Sequence, residues 1–207
     1  MLQIGQTAPD FVQASTEGNI EFHRWLGSSW GILFSHPRNF TPVCTTELGE
    51  VARLMPEWVG RGVKVIGLSV DPLDLHDEWA LDIQETQGHK LNFPLLADAD
   101  RRVASLYGMV HPESDPLLTV RAVFVIDPAK KIRLTLNYPP SAGRNFLEIL
   151  RVVDSLQLSD REKVSTPVNW QLGDPAIISP AVSDAEARER FPQGFDTQKP
   201  YLRYVKL

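Results

Sequence analysis

Cys44 is the only cysteine among 207 residues, and it lies in the stretch SHPRNFTPVCTTELGE, residues 35–50. It follows Pro42 by two positions, where the spacing predicts the first turn of a helix. A helix N-terminus carries partial positive charge and unpaired N–H groups, so it favours a thiolate over a thiol. Position alone leaves a second reading open, a buried structural cysteine, because free cysteine is among the most buried residue types. The neighbours weigh against that reading. Pro37 lacks an N–H and stiffens the loop that leads in. Thr41 stands three residues ahead of the sulfur. Its hydroxyl can donate one hydrogen bond and accept another, which is what a thiolate attacking a peroxide requires of a neighbour; as an N-cap it would be equally ordinary.

Ionising the thiol is not sufficient for catalysis. A thiol of pKa about 8.5 is only a few per cent thiolate at pH 7, so full ionisation gains roughly 30-fold at most. Part of that gain is lost again, because a less basic thiolate is a weaker nucleophile. Enzymatic enhancements start at about 10⁶-fold. The remainder must come from holding the substrate in line and stabilising charge on the leaving oxygen. Arginine suits that task, being always charged and a forked donor. Arg121 sits at the mouth of a strongly apolar strand, in TVRAVF. Arg144 is predicted at the start of the last long helix, where a cation is electrostatically unwelcome. Each placement is either repaid by a partner or reflects a surface ion pair. Glu47, one helical turn after Cys44, could hold either arginine, or could simply be a favourable first-turn carboxylate.

These residues depend on the elements around them. WGILFS, residues 30–35, reads as a buried strand that delivers the chain to the cysteine. A helix follows Pro42, with Cys44, Leu48, Val51, Leu54, Met55 and Trp58 on one face and Gly60 and Gly62 at its end. Residues 63–70 read as a second buried strand. Asp71-Pro72 opens another helix, with Leu75, Trp79 and Ile83 inward and Gly88 beyond its end. Residues 93–97 read as extended and 100–107 as a short helix. A third buried strand at 122–126 turns through 127–130 into a hairpin partner at 132–136. The last long helix runs from about Arg144 to Leu156. Alternating strands and helices, then a hairpin, then a helix, describe an α/β sandwich of the thioredoxin type. After about Ser159 repeated prolines interrupt the pattern. Ser183 to Glu186 reads as a capping box, and 201–205 as a terminal strand. The expected organisation is a domain over 1–158 and a C-terminal extension over 159–207. A segment of roughly 45 residues rarely holds a core of its own, so the extension is expected to pack on the main domain or a second subunit.

Composition narrows the partners. With 43% hydrophobic and 23% charged residues, the chain can build an ordinary core. A net charge of −5 argues against nucleic acid, whose phosphates need a basic face. No apolar run approaches the roughly 18 residues of a membrane span. The start MLQIGQTAPDF shows no basic n-region followed by an apolar h-region. A single cysteine cannot close an intrachain disulfide, and a reducing cytoplasm is the expected location. The histidines at 23, 36, 76, 89 and 111 show no ligand spacing, so neither metal nor other cofactor is expected.

The segment HPRNFTPVCTTELG closely resembles the active-site segment of the peroxiredoxins, Pro-x-x-x-Thr-x-x-Cys, matched by Pro37, Thr41 and Cys44. The likeness continues through TVRAVFV at 119–125, through Tyr138-Pro139 and Gly143 to Arg151, through TPVNW at 166–170, and ends in PYLRY at 200–204. It therefore covers essentially the whole chain, and as a set it is similar to the one-cysteine, peroxiredoxin 6 type subfamily. The resemblance implies a peroxidatic nucleophile at Cys44, with Arg121 stabilising thiolate and peroxide. It also implies a pocket shaped by Thr41 and Pro37 and a supporting shell of His36, Glu47 and Arg144. It implies a thioredoxin-type fold and a homodimer formed with help from the C-terminal extension. The substrate would be hydrogen peroxide or an organic hydroperoxide. With no resolving cysteine, an external thiol, small or protein-borne, would reduce the Cys44 sulfenic acid, and excess peroxide would carry Cys44 on to the sulfinic acid.

A second motif competes. Gly27-Ser28-Ser29-Trp30-Gly31 spells G-x-S-x-G, and animal members of the subfamily are associated with a phospholipase A2-like activity using a serine, a histidine and an aspartate. Ser29 and His23 match the first two. The third position carries Ala129, with Asp127 two residues away. A hydrolase elbow needs a strand before the serine and a helix after it; here a strand is predicted after it. A cysteine hydrolase with His36 as base would need a third residue to orient the histidine, and a non-catalytic thioredoxin-fold binding protein has no use for Thr41 and Arg121 beside a thiol.

Overall fold

The computed structural model describes residues 2–207. Its contacts divide the chain into two units, Met1–Phe146 and Leu147–Leu207. The division falls after Phe146, the first residue of the last long helix, whereas the sequence reading sets it after residue 158.

The first unit is built on a seven-stranded sheet in the order β2-β1-β5-β4-β3-β6-β7. Its strands are β1 (Val12–Ser15), β2 (Gly18–Glu21), β3 (Trp30–Ser35), β4 (Val63–Ser69), β5 (Leu95–Ala97), β6 (Arg121–Ile126) and β7 (Ile132–Tyr138). Its helices are α1 (Phe22–Leu26), α2 (Pro42–Arg53), α3 (Met55–Gly60), α4 (Leu73–Gln87) and α5 (Arg102–Tyr107). Every residue of β3 and of β6 is buried, which explains why both read as continuous apolar runs: strands covered on both faces do not alternate. β3 pairs parallel with β4 and antiparallel with β6, and the 127–130 turn folds β7 back on β6 as expected. This arrangement sets the C-terminal end of β3 beside the N-terminal end of β6. The loop carrying the cysteine and the strand carrying Arg121 thus meet.

Three local expectations need correction. The helix after Pro42 is two helices, broken at Leu54, which closes α2 and opens α3. Pro56, at the second position of α3, has no N–H to continue the α2 ladder. On α4 the inner face is His76, Trp79 and Ile83, with Leu75 only half-buried. The last long helix, α6, starts at Phe146 and runs to Glu162, so Arg144 precedes it instead of opposing its dipole.

The second unit contains most of α6 (Phe146–Glu162), then β8 (Val164–Ser165), β9 (Ala176–Ile178), α7 (Asp184–Arg190), β10 (Asp196–Lys199) and β11 (Leu202–Val205). Its strands form a separate sheet, β10-β11-β9-β8. Contrary to expectation it has an apolar cluster of its own, including Leu158, Trp170, Ile178, Phe191 and Val205. Arg203, 2% exposed, bonds Asp184 and the Ser179 and Val182 carbonyls, which ties β11 to the start of α7. Ser183 caps α7 by accepting from the Glu186 N–H at 3.2 Å, which is the N-cap half of a capping box, while the Glu186 carboxylate lies 3.6 Å from Arg190.

Candidate active site

The β3–α2 loop is held at both ends. His36 N–H donates to the Leu68 carbonyl, extending the β3–β4 ladder by one residue. Asn39 N–H donates to Asp71 Oδ2 at 2.8 Å. Pro37 is buried between these anchors. Phe40 takes a left-handed φ of 53°, uncommon for so bulky a residue, and Thr41 returns to extended backbone as the residue before α2. The Thr41 side chain caps nothing; its hydroxyl donates to the Arg38 carbonyl at 3.0 Å. With its proton committed there, the oxygen is available to accept.

Cys44 lies in the first turn of α2 and is fully buried. Its surroundings are not those of an inert core thiol. Arg121 Nη1 lies 3.3 Å from the sulfur and 2.7 Å from Glu47 Oε2. Nε and Nη2 of Arg121 donate to the Pro140 carbonyl at 3.0 and 2.6 Å. Arg144 embraces the same carboxylate: its backbone N–H and Nε donate to Oε1 at 2.7 and 2.9 Å, and Nη2 to Oε2 at 2.7 Å. Arg144 Nη1 completes the set on the Ser35 and Ala122 carbonyls. Glu47 therefore holds both arginines, not one, and neither arginine is a surface pair: the side chains of Arg121, Arg144 and Glu47 are 3%, 0% and 3% exposed. Burial pulls Arg144 below the ordinary arginine value, with Glu47 opposing.

The charges decide what this cluster favours. Two guanidiniums and one carboxylate leave one net positive charge in a buried site, with the cysteine sulfur against it. A thiolate would bring the sum to zero. At an effective dielectric of 20, opposite charges about 4 Å apart attract by about 4 kcal/mol.

A second buried network adjoins the loop. His36 Nε2 pairs with Asn39 Oδ1 at 3.0 Å, Asn39 Nδ2 with His76 Nδ1 at 2.7 Å, and His76 Nε2 with the Leu96 carbonyl at 3.1 Å. These partners fit neutral rings protonated at Nε2. Burial pulls His36 down to about 3, and His76, Arg144 and Arg121 push the same way against the Asn39 bond. Burial also lowers His76. A histidine this hard to protonate suits a dry, electropositive wall better than it suits a general base.

The structure thus brings Cys44, Glu47, Arg121 and Arg144 into direct contact, with Pro37, His36 and Thr41 in the loop beside them. Asn39, His76 and the Pro140 carbonyl were not foreseen. His76 had a signal, standing three residues before Trp79 on the apolar face of its helix. The carbonyl had none, because backbone acceptors are silent in sequence. Among the described residues no group of three or more His, Cys, Asp or Glu side chains is placed to hold a metal ion, and no helix is long and apolar enough to cross a membrane.

The serine motif lacks hydrolase geometry. α1 precedes Ser29 and β3 follows it, the reverse of a nucleophile elbow. His23 uses Nε2 on the Ala8 carbonyl at 2.8 Å and turns Nδ1 toward Asp10 at 3.9 Å. Asp127 is occupied by the Lys131 N–H and Arg133. No hydrogen bond joins Ser29 to His23.

Residues 4–135 match the AhpC/TSA family, and residues 155–194 match the C-terminal domain of 1-Cys peroxiredoxin. A 1-Cys peroxiredoxin of Dictyostelium discoideum is 52% identical over 98% of this chain and 84% of its own length. The crystal structure of a cysteine-to-serine mutant of the peroxiredoxin 6 of Arenicola marina superposes with a TM-score of 0.94 at 46% identity, covering 100% of this chain and 98% of the other. A yeast mitochondrial 1-Cys peroxiredoxin, solved to explain thiol resolution via glutathione/thioredoxin systems, gives 0.94 at 50% identity over 100% of both chains.

Proposed function

Because the chain belongs to the one-cysteine peroxiredoxins, and is on that ground a thiol-dependent peroxidase, we propose that Cys44 is the sulfur that meets the peroxide. The observation that carries this assignment is the 3.3 Å contact between Cys44 Sγ and a buried guanidinium in a site left with one net positive charge. The Cys44 thiolate attacks one peroxide oxygen in line with the O–O bond. An S–O bond forms, the O–O bond breaks, and its electron pair leaves with the second oxygen, which takes a proton to become water or an alcohol. Sulfur loses two electrons and becomes a sulfenic acid. Arg121 is the cation nearest the charge that develops on the leaving oxygen, and the Thr41 oxygen accepts the peroxide O–H. Glu47, itself locked by Arg144, holds Arg121 in place, while Pro37 and the neutral His36 keep the wall dry.

Cys44 is the only cysteine, so the sulfenic acid is cleared from outside. One thiol displaces water to give a mixed disulfide, and a second releases Cys44. The yeast relative works with glutathione/thioredoxin systems, and we place the reductant of this chain in the same class. Such a cycle needs a reducing compartment, for which we propose the cytoplasm. The working form is a homodimer, with residues 159–207 as the dimerisation extension; the extension offers an apolar-edged groove of about 830 Å³ that includes Val168, Trp170, Phe195 and Tyr204. The deciding experiment mixes reduced protein with one equivalent of hydrogen peroxide, without reductant, and takes the intact mass within seconds. A gain of one oxygen, trapped by a sulfenic-acid reagent and absent from Cys44→Ser, is expected. An unmodified protein, or oxidation of the variant at the same rate, overturns the assignment.

A further inference from the structure

The paired register of β3 and β6 closes at Phe34–Val123. One step further along, Ser35, the last residue of β3, stands opposite Ala122, the neighbour of Arg121 in the chain. Here a side chain joins the two strands. The fully buried Ser35 accepts the Ala122 N–H on its hydroxyl at 3.1 Å and donates the hydroxyl proton to the Val120 carbonyl at 2.7 Å. Those two backbone groups flank Arg121, one on each side. The Ser35 carbonyl has a separate use: with the Ala122 carbonyl it accepts from Arg144 Nη1, at 2.8 and 2.9 Å. One serine therefore grips the backbone around Arg121 with its hydroxyl and the side chain of Arg144 with its carbonyl. These bonds go to the groups that surround Cys44, not to its sulfur.

The backbone position of Arg121 decides where its guanidinium stands. On one side it is set by β7, through the pairing of Arg121 with Tyr138; on the other it is set by what crosses from β3. A serine hydroxyl suits that crossing because it is short and is donor and acceptor at once, so it serves a buried carbonyl and a buried N–H together. The rest of β3, WGILF, is apolar and buried, and burial alone would be met as well by alanine. Arg121 Nη1 lies 3.3 Å from the sulfur, and a misplacement of about 1 Å can cost about 10²-fold in rate. We propose that Ser35 is a positioning residue of the peroxidase, which sets the place of Arg121 against Cys44 through the Val120 and Ala122 backbone. The inference rests on the peroxidase reading and adds a residue to it.

Ser35→Ala removes the hydroxyl and leaves the carbonyl on Arg144. Ser15→Ala is the control: the Ser15 hydroxyl is also buried, donates to the Gly18 carbonyl at 2.7 Å and accepts the Glu17 N–H at 3.1 Å, in a hairpin outside the site. Both variants are expected to lower the urea midpoint. Ser35→Ala alone is expected to slow oxidation of the folded chain by hydrogen peroxide, by about tenfold or more. It should also move the pH profile of iodoacetamide alkylation at Cys44 to higher pH, since a displaced cation supports the thiolate less. In an Arg121→Ala background the same serine change is expected to cost about twofold at most, because the group it acts through is gone. An oxidation rate and alkylation profile unmoved by Ser35→Ala overturn the proposal. Equal slowing with Arg121 present and absent, or equal slowing by Ser15→Ala, overturns it too. A wild-type chain inert toward hydrogen peroxide would instead overturn the assignment of Cys44, and the alkylation profile would still decide the role of Ser35.

Discussion

Replacing Glu47 by glutamine removes one oxygen and one charge from the centre of the site. The carboxylate accepts four hydrogen bonds, two on Oε1 and two on Oε2. Glutamine can keep the Oε1 pair, but its amide NH₂ then faces the donors of Arg121 and Arg144. Two charge-assisted bonds are lost, each contributing about 1.5–3 kcal/mol. The same change leaves two buried guanidiniums with no anion, and breaking a buried ion pair from one side costs about 3–5 kcal/mol. These are two views of one loss, so they are not added; the expected destabilisation is about 4 kcal/mol. For a chain of this length that corresponds to a midpoint lower by roughly 8–16 °C. Urea unfolding and calorimetry measure it, with Glu50→Gln as the control. Glu50 pairs with Arg53 on the surface, where an ion pair is worth about 0–1 kcal/mol. Arg121 keeps its Pro140 contacts in the Glu47 variant, so peroxide oxidation persists in the folded fraction. If Glu47→Gln were no more destabilising than Glu50→Gln, the carboxylate would not be the keystone of the arginine pair, and the charge argument for Cys44 would fail with it.

Arg121→Lys keeps the charge but not the fork that spans sulfur, Glu47 and Pro140. Stopped-flow oxidation should slow by about 10–100-fold, and Arg121→Ala should cost about 10²–10³-fold; a wild-type rate in the alanine variant would remove Arg121 from the reaction. Stability should fall on mild acidification. Burial holds folded His36 near 3 against an ordinary 6.5, so below 6.5 the unfolded chain binds the extra proton. The His36 contribution is complete above 6.5, is down by about 2 kcal/mol at pH 5, and continues to fall toward pH 3. His76 shifts in the same direction. Urea midpoints at pH 7 and 5 test this, and a His36→Gln variant with an equally steep decline would assign the effect elsewhere. Sedimentation of the full chain should give a dimer that truncation after Ser159 weakens; a monomer at micromolar concentration, or a truncated chain that dimerises equally well, contradicts the assembly.

Much of the fold is legible in the sequence. Strands such as β3 and β6 announce themselves because burial on both faces leaves no room for polar residues, and the Pro42 start of α2 follows from a residue that tolerates only the first helical turn. The parts that escaped share a cause: they depend on which residues meet, not on local pattern. Leu54 and Met55 continue the α2 stripe, so only Pro56 hinted at the break. The apolar period of α6 runs back toward Arg144 and reads as helix there, while the contacts that fix it lie on Glu47, Ser35 and Ala122. Thr41 offered two local roles, and its hydroxyl took a third on the Arg38 carbonyl. By length the extension reads as too short for a core, and length alone does not reveal that Trp170 and Phe191 converge.

The sulfur and its cation are 77 residues apart in sequence, and Arg144 lies 97 residues beyond the Glu47 that it clasps. No local segment holds the complete site; it exists only once β3 and β6 have paired. During synthesis, Cys44 leaves the ribosome long before either arginine has been made. Until then it is an ordinary thiol, no more prone to oxidation than free cysteine. Reactivity arrives with the closed sheet, so the nascent chain is protected from the chemistry of the finished one. Chain denatured in urea should accordingly react with peroxide at the rate of free cysteine and regain its speed only as β3 and β6 pair on refolding.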